Sequence, residues 1–397
     1  MKKRIVIISE YFYPNNRTDA NLLLDISKKL YEVNDENIQV ICTSSLNGKS
    51  ELSFLKNKII RLKSIKLNDN NLIARIFKFL LLTIKLSTKA IVTIKKDDRV
   101  LITTNPAFLV PIISLFRKFR KFEYTLLVYD VFPENLGAAG IISSNKLFYK
   151  IVKKIYDWSY SSADKIVVIG RDMNDVVSSK TKNKVPITLI ENWCDINTIK
   201  EEDKSRNKIL NDLKIVNKKV FLFAGNLGRV QGIETLLKAA SLVQDKEFVL
   251  LFIGDGAYKN NILDYIKTNK ACNVFYAGNF PFSRKNEFLN ACDVAIISLS
   301  KSMYGLGVPS KSYTNMASSK PLLYIGDNKS EISLLVKEHN IGWTIEPGNI
   351  EKLSALIDKI CIESNNFNIM GKKSRKIVET YYSKDIILNK YKKLYED

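Results

Sequence analysis

The chain is predicted to be an α/β protein built from two doubly wound parallel sheets. Three observations lead there. Its 397 residues are 46% hydrophobic, enough for two or three domains with sizeable cores. Short unbroken Val/Ile/Leu runs alternate with amphipathic segments, as strands buried on both faces do when helices cover them. The alternation pauses at the polar, charge-mixed stretch 197–208 and then begins again.

In the first series, strands are predicted over 4–9, 38–43, 99–103, 124–129, 165–169 and 187–190, each an apolar run bounded by polar or turn residues. Helices are predicted over 20–32, 72–88 and 145–161, where apolar residues recur at helical spacing. The second series places strands at 220–224, 248–253, 274–277, 294–299, 322–325 and 342–345. Helices are predicted there over 233–242, 286–291, 310–317 and 350–360. The last segment, from 372 onward, is helical in period and rich in Tyr and Lys. Domains are accordingly predicted at 1–196 and 197–375, followed by a C-terminal helix, 376–397.

Charge is unevenly distributed. The formal net charge is +21, and residues 1–200 hold 33 basic against 19 acidic side chains. A basic face suits nucleic acid, anionic lipid or a phosphorylated substrate, so charge alone does not choose. The five cysteines, Cys42, Cys194, Cys272, Cys292 and Cys361, are widely spaced without a CxxC pair. That usage fits a reducing cytoplasm and argues against both a disulfide framework and a zinc ribbon. The apolar run after Met1-Lys2-Lys3-Arg4 is too short for a signal peptide, and no uncharged apolar stretch is long enough to span a bilayer.

The chemistry gathers in glycine turns of the second series. Gly225-Asn226-Leu227-Gly228-Arg229 follows one predicted strand, Gly254-Asp255-Gly256 the next, and Gly278 a third. Gly305-Leu306-Gly307-Val308-Pro309-Ser310-Lys311 opens a further helix. Glycines at the carboxyl ends of parallel strands let a ligand approach the backbone, and following helices offer unpaired N–H groups. Arg229 and Lys311 would be the cations of that rim, an arrangement suited to a diphosphate.

On these motifs the sequence resembles retaining bacterial glycosyltransferases of the GT-B fold, in the group 1 (family 4) class, and within it the WbuB-like subgroup that makes surface polysaccharides. The resemblance covers nearly the whole chain. It rests on Tyr11-Phe12-Tyr13-Pro14, Tyr129-Asp130 with Pro133-Glu134 and Gly140, Ala163-Asp164 and Glu191-Asn192-Trp193. It continues through the glycine turns, Asp293, Pro309-Ser310-Lys311, Met316-Ala317 and Lys320-Pro321. It implies two Rossmann-like domains facing a central cleft, with the C-terminal helix crossing back to the first.

The resemblance also implies roles. A nucleotide-sugar donor, UDP-linked by default, is held by the second domain at Gly225, Asn226, Gly228, Arg229, Gly254, Asp255, Gly256, Phe280, Pro309, Ser310, Lys311 and Thr314. The acceptor is held by the first domain at Tyr13, Asn16, Arg17, Thr18, Asp130 and Glu134. Asp130, Arg229 and Lys311 stand as catalytic residues, no cofactor or metal is expected, and a donor phosphate oxygen takes the acceptor's proton. Several positions depart from the family pattern. The glutamate pair common in relatives falls at Leu306 and Thr314, a frequent histidine is replaced by Tyr129, and a frequent lysine by Gln231. The single histidine, His339, reads as structural or solvated.

Residues 56–96 hold eleven Lys/Arg against one acid, Asp69. Within them, apolar residues interleave with cations in the manner of a helix lying in an anionic interface. The segment around Phe116-Arg117-Lys118-Phe119 has the same character. Membrane contact is expected at Arg75, Phe77, Lys78, Phe79, Phe116, Arg117, Lys118 and Phe119, placing the protein on the cytoplasmic side of the inner membrane beside a lipid-linked saccharide acceptor. Two other readings stay open: a nucleotide-sugar 2-epimerase of the same fold, disfavoured by the scarcity of candidate bases, and a nucleic-acid-binding protein, disfavoured by the lack of a binding module.

Overall fold

The structure, a computed structural model, describes residues 2–15, 17–34, 36–43, 55, 58–63, 72–143, 145–269 and 271–396; the side chains of 72–76 and 78 fall outside that description. Two compact units emerge. The first comprises Met1–Glu191, Gly305–Gly307 and Leu388–Asp397, and the second Asn192–Tyr304 and Val308–Ile387.

The first unit runs β1 (Ile5–Ile8), α1 (Thr18–Val33), β2 (Ile38–Thr43), β3 (Ile59–Leu62), α2 (Leu72–Thr93), β4 (Arg99–Thr103), α3 (Leu109–Phe116) and β5 (Glu123–Val128). It continues through α4 (Glu134–Ala138), α5 (Leu147–Tyr160), β6 (Lys165–Val168), α6 (Arg171–Thr181) and β7 (Ile187–Leu189). Its seven strands lie in the order β3-β2-β1-β4-β5-β6-β7, every neighbouring pair parallel. β1 is Ile-Val-Ile-Ile, fully buried, and pairs with both β2 and β4. A strand with no polar face can only sit centrally, covered on both sides.

Right-handed crossovers fix the layers. The chain leaves β1 towards β2 and β3 by α1, then returns across the sheet by α2 and proceeds through α3, α5 and α6 in the opposite direction. α1 therefore covers one face, and α2, α3, α5 and α6 cover the other. α2 packs on α3, α3 on α5 and α5 on α6.

β3 lies inside the segment read from sequence only as basic. It is a half-buried edge strand, interrupted by Arg61, whose guanidinium donates to the Tyr13 carbonyl at 2.7 Å. A charged residue in a four-residue run hides the strand signal, yet an edge tolerates it.

The second unit holds α7 (Lys208–Asp212), β8 (Lys219–Ala224), α8 (Ile233–Ala240), β9 (Phe248–Ile253), α9 (Lys259–Thr268), β10 (Val274–Tyr276), α10 (Lys285–Leu289) and β11 (Val294–Ser298). Then follow α11 (Lys311–Ala317), β12 (Leu322–Ile325), α12 (Glu331–His339), β13 (Gly342–Ile345), α13 (Ile350–Ile362), α14 (Phe367–Tyr381) and the start of α15 (Lys384–Glu396), whose residues from Leu388 onward belong to the first unit. Its six-stranded parallel sheet is ordered β10-β9-β8-β11-β12-β13. Leucines, isoleucines and four phenylalanines fill one core of this unit, where the rings of Phe221 and Phe248 meet edge to face at 5.2 Å.

Two expectations change. The stretch 197–208 is fastened down: Lys200 N donates to Asn286 Oδ1 at 3.1 Å, and Asn290 Nδ2 donates back to the Lys200 carbonyl at 2.8 Å. The C-terminal segment is two helices. Between them Ser383 forms a parallel bridge with Cys194, and Lys384 N donates to the Cys194 carbonyl at 3.2 Å. Those backbone groups are taken by a distant residue, so the helical ladder cannot run through. Beyond the break Leu388, Tyr391 and Tyr395 are buried, and Arg99 Nη1 donates to the Tyr395 carbonyl at 2.6 Å.

Candidate active site

In the second sheet the winding reverses between β8 and β11: β8 leads outward to β9, and β11 leads the other way to β12. Connections diverge at such a point and leave a crevice outside the carboxyl ends of the strands. The chain leaves β8 at Gly225, whose φ of 121° is open to glycine but not to other residues. Gly225 N donates to the Ile253 carbonyl at 2.9 Å, Leu227 N to Asp255 O at 2.9 Å, and Gly254 N to Gly278 O at 2.8 Å. Three glycine turns are thereby tied into one surface. A Cβ on Gly254 would collide with the Gly225 carbonyl oxygen, so the close stacking of the first two turns depends on glycine there.

Lys311, the first residue of α11, reaches this surface. A Cβ on Gly225 would sit 3.8 Å from Lys311 Cδ, so the lysine stem runs along the turn. Its ammonium stands 3.6 Å from the centroid of the Phe223 ring. Desolvation lowers the amine to about 7. Among the described residues, no carboxylate forms an ion pair with Lys311 or with the exposed Arg229. Two cations without counter-ions at one turn create a positive potential that an anion would relieve. Nearby, Ser298 Oγ at the end of β11 and Gln231 Oε1 are buried without a partner. A Cβ on Gly232, the residue before α8, would lie 3.1 Å from that Ser298 hydroxyl.

The other expected donor residues surround this turn or continue its neighbours. Asn226 is exposed, and Gly228 folds back over it: a Cβ on Gly228 would meet Asn226 Nδ2 at 2.8 Å. Asp255 Oδ1 accepts from Gly256 N at 2.9 Å and stands 3.9 Å from the Lys259 ammonium. Phe280 is half-buried, with the Arg284 guanidinium 4.4 Å from its ring centroid. Pro309 and Ser310 are half-buried just before α11, and the Thr314 hydroxyl donates to the Lys311 carbonyl at 3.0 Å. α11 has only seven residues, so the lysine rather than the helix end supplies its charge.

The first unit has its own reversal, between β1 and β4. There Thr103 Oγ1 donates to Ser9 Oγ at 3.0 Å and Glu10 N donates to Asn105 O at 3.0 Å. The loop after β1 carries Tyr13 and then Arg17, which forks onto Asp19 at 3.0 and 3.2 Å and lies 4.2 Å from the Tyr11 ring centroid. Thr18 is exposed at the start of α1; Asn16 lies outside the described residues. Asp130 follows β5, its N–H and that of Tyr129 donating to Thr104 Oγ1 at 3.4 and 3.3 Å. Burial, and then the charge of Asp19, raise the Asp130 carboxyl to about 6, with Arg17 pulling the other way. From sequence, Tyr11 stood only within a family motif, and neither it nor Asp19 was named as a site residue. The signal available was their place in the loop after the central strand.

Glu134 sits differently from a free acceptor ligand. Its carboxylate receives Lys180 Nζ at 2.9 Å and Lys153 Nζ at 3.0 Å, and the Lys180 side chain is 1% exposed. Asp157 completes the quartet, 2.7 Å from Lys180 and 2.8 Å from Lys153. Glu134 therefore joins α4 to α5 and α6.

The membrane-facing expectation needs a narrower set. Phe77 and Phe119 are exposed, at 55% and 81%. Lys118 is exposed, its ammonium 4.9 Å from the Trp158 ring centroid. Phe79 is half-buried with its ring 5.6 Å from Phe108, and Phe116 is half-buried 6.0 Å from Phe122. Arg117 is withdrawn from the set, because its guanidinium pairs with Asp164 and donates to the Ser162 and Phe122 carbonyls. The side chains of Arg75 and Lys78 lie outside the described residues. No helix among the described residues is long and apolar enough to cross a membrane.

Comparison with known proteins places these features in a wider setting. The profile of the family described as glycosyl transferases group 1 matches residues 205–377. The probable glycosyltransferase WbjE of Pseudomonas aeruginosa is 37% identical over 328 residues, covering 82% of this chain and 80% of that protein. Among solved structures, Anabaena Alr3699/HepE in complex with UDP aligns with a TM-score of 0.71 at 15% identity, over 98% of this chain and 99% of that one. The sucrose-phosphate synthase of Thermosynechococcus elongatus aligns with a TM-score of 0.75 at 15% identity, over 99% of this chain and 98% of that one. The two structural likenesses are of fold, GT-B, with its paired Rossmann-like domains.

Proposed function

The chain belongs to the group 1 glycosyltransferases, and from that premise we propose that it transfers a sugar from a UDP-sugar to a lipid-linked, polyprenyl-diphosphate saccharide, with retention of configuration and without a metal. The sugar in this reading is an N-acetylated or deoxy hexose. The setting is surface polysaccharide assembly, O-antigen or capsule, by a member of the WbuB-like subgroup. One observation carries the reading: Lys311 lies along the Gly225 turn without a carboxylate partner, close in sequence terms to nothing but brought by the fold to the reversal point of the second sheet. The solved neighbour from Anabaena, which was crystallised with UDP, supports a uridine nucleotide.

The chemistry follows from the charges. As the bond between the anomeric carbon and the donor oxygen breaks, negative charge collects on the leaving diphosphate. Lys311 and the forked Arg229 stabilise that charge in place of a metal ion. The acceptor oxygen bonds to the anomeric carbon on the face the diphosphate leaves, and its proton passes to a diphosphate oxygen. Asp130, in the first unit, positions acceptor or sugar hydroxyls. The exposed Phe77, Lys118 and Phe119 support contact with the cytoplasmic face of an anionic membrane.

A screen of nucleotide sugars for release of free nucleotide, with and without a polyprenyl-diphosphate saccharide, tests this. UDP release should depend on acceptor and fall about a hundredfold or more in Arg229→Ala and in Lys311→Ala. Turnover unchanged in both variants would remove the donor site from this turn.

A further inference from the structure

The outer face of α5 carries the wrong residues for a helix turned to water. Its inner face is tyrosine, with Tyr149, Tyr156 and Tyr160 buried. On the opposite side Leu147, Phe148, Ile151 and Ile155 are 74%, 63%, 50% and 43% exposed. Leu147, Ile151 and Ile155 repeat every fourth residue and form one stripe, where a surface helix would present polar side chains. Lys150 and Lys154, both exposed, run beside the stripe at the same spacing, and exposed Lys146 precedes the helix. The helix has a single acid, Asp157, and that carboxylate is held by Lys153 and Lys180. The outward charge of α5 is thus positive only.

We propose that α5 is a membrane-docking helix, its Leu147–Ile151–Ile155 stripe lying in the interface of an anionic bilayer with Lys146, Lys150 and Lys154 at the headgroups. The proposal rests on the membrane reading given above and extends it to an element that reading did not include. Position supports it. α5 packs on α3, and α3 on α2, so the stripe belongs to the same helix layer as exposed Phe77 on α2, and exposed Phe119 lies in the turn that follows α3. Charge selects the occupant. A flexible lysine stem can lie on apolar surface while its ammonium meets lipid phosphate. A second copy of this chain would bring the same lysines face to face, which disfavours self-association through this stripe.

The test is sedimentation of the full chain with phosphatidylcholine vesicles, with and without phosphatidylglycerol. The wild type should bind only the anionic vesicles. Leu147→Ser with Ile151→Ser should weaken that binding about tenfold or more, and Lys150→Glu with Lys154→Glu should abolish it, while UDP affinity and circular dichroism stay at wild-type levels. If the α5 variants bind as the wild type does and Phe77→Ser alone is released, the α5 assignment is overturned and the membrane reading stands. If the wild type does not bind anionic vesicles at all, both fall. A dimer in size exclusion that Leu147→Ser dissolves would also overturn the assignment, in favour of a second copy.

Discussion

At the scale of the residue, burial has moved two titrating groups towards neutrality in opposite directions. Burial lowers the Lys311 amine to about 7, and burial with the nearby Asp19 charge raises the Asp130 carboxyl to about 6. A buried lysine without a carboxylate partner loses its charge readily, and a bound diphosphate would restore it. Asp130 has a consequence for stability. Its value in the fold lies above the ordinary 3.8, so its stabilising contribution is complete below about pH 4 and is lost as pH rises through about 6. Asp130→Asn is therefore expected to stabilise the protein near neutral pH by about 1–2 kcal/mol, with no gain below about pH 4, and to lower transferase activity. Urea midpoints across that pH range check it; a gain independent of pH would contradict the account. Legibility at this scale was partial. Asp130 and the Arg229 turn were readable because each ends a continuous apolar run. The lysines on Glu134 were not, since Lys153 and Lys180 come from other helices.

At the scale of the element, the Gly225 turn is only as rigid as the turn beneath it. Gly254 has φ 138° and no room for a Cβ against the Gly225 carbonyl. Gly278 has φ 93° but open space around it. Gly254→Ala is expected to cost about 3 kcal/mol or more through collision and strain, whereas Gly278→Ala should cost about 1 kcal/mol from strain alone. Denaturant midpoints separate the two, and equal effects would show that the stacking of the turns is not the source. The strands of the second sheet were legible in sequence because they are largely apolar runs, most of them bounded by glycine. β3 was hidden by Arg61 and by its half-buried edge position. The break between α14 and α15 could not be read locally, because the group that interrupts it is Cys194, far away in the chain.

At the scale of the whole molecule, each unit is a complete parallel α/β layer structure, and each has its own point where the winding reverses. The repeated alternation of strands and helices made that architecture readable before any contact was known. The sequence reading set Lys311 on the same rim as the Gly225 turn, but not the contact itself, since the two residues lie on different crossovers and meet only when β8 and β11 become neighbours. The central claim is that this meeting creates a diphosphate site. Calorimetric titration of UDP into the wild type, Arg229→Ala and Lys311→Ala tests it most directly. The account predicts binding to the wild type with proton uptake above about pH 7, because Lys311 regains its charge, and affinity lower by about tenfold or more in each variant, with the uptake absent only in Lys311→Ala. Equal UDP affinity in all three folded proteins would contradict it.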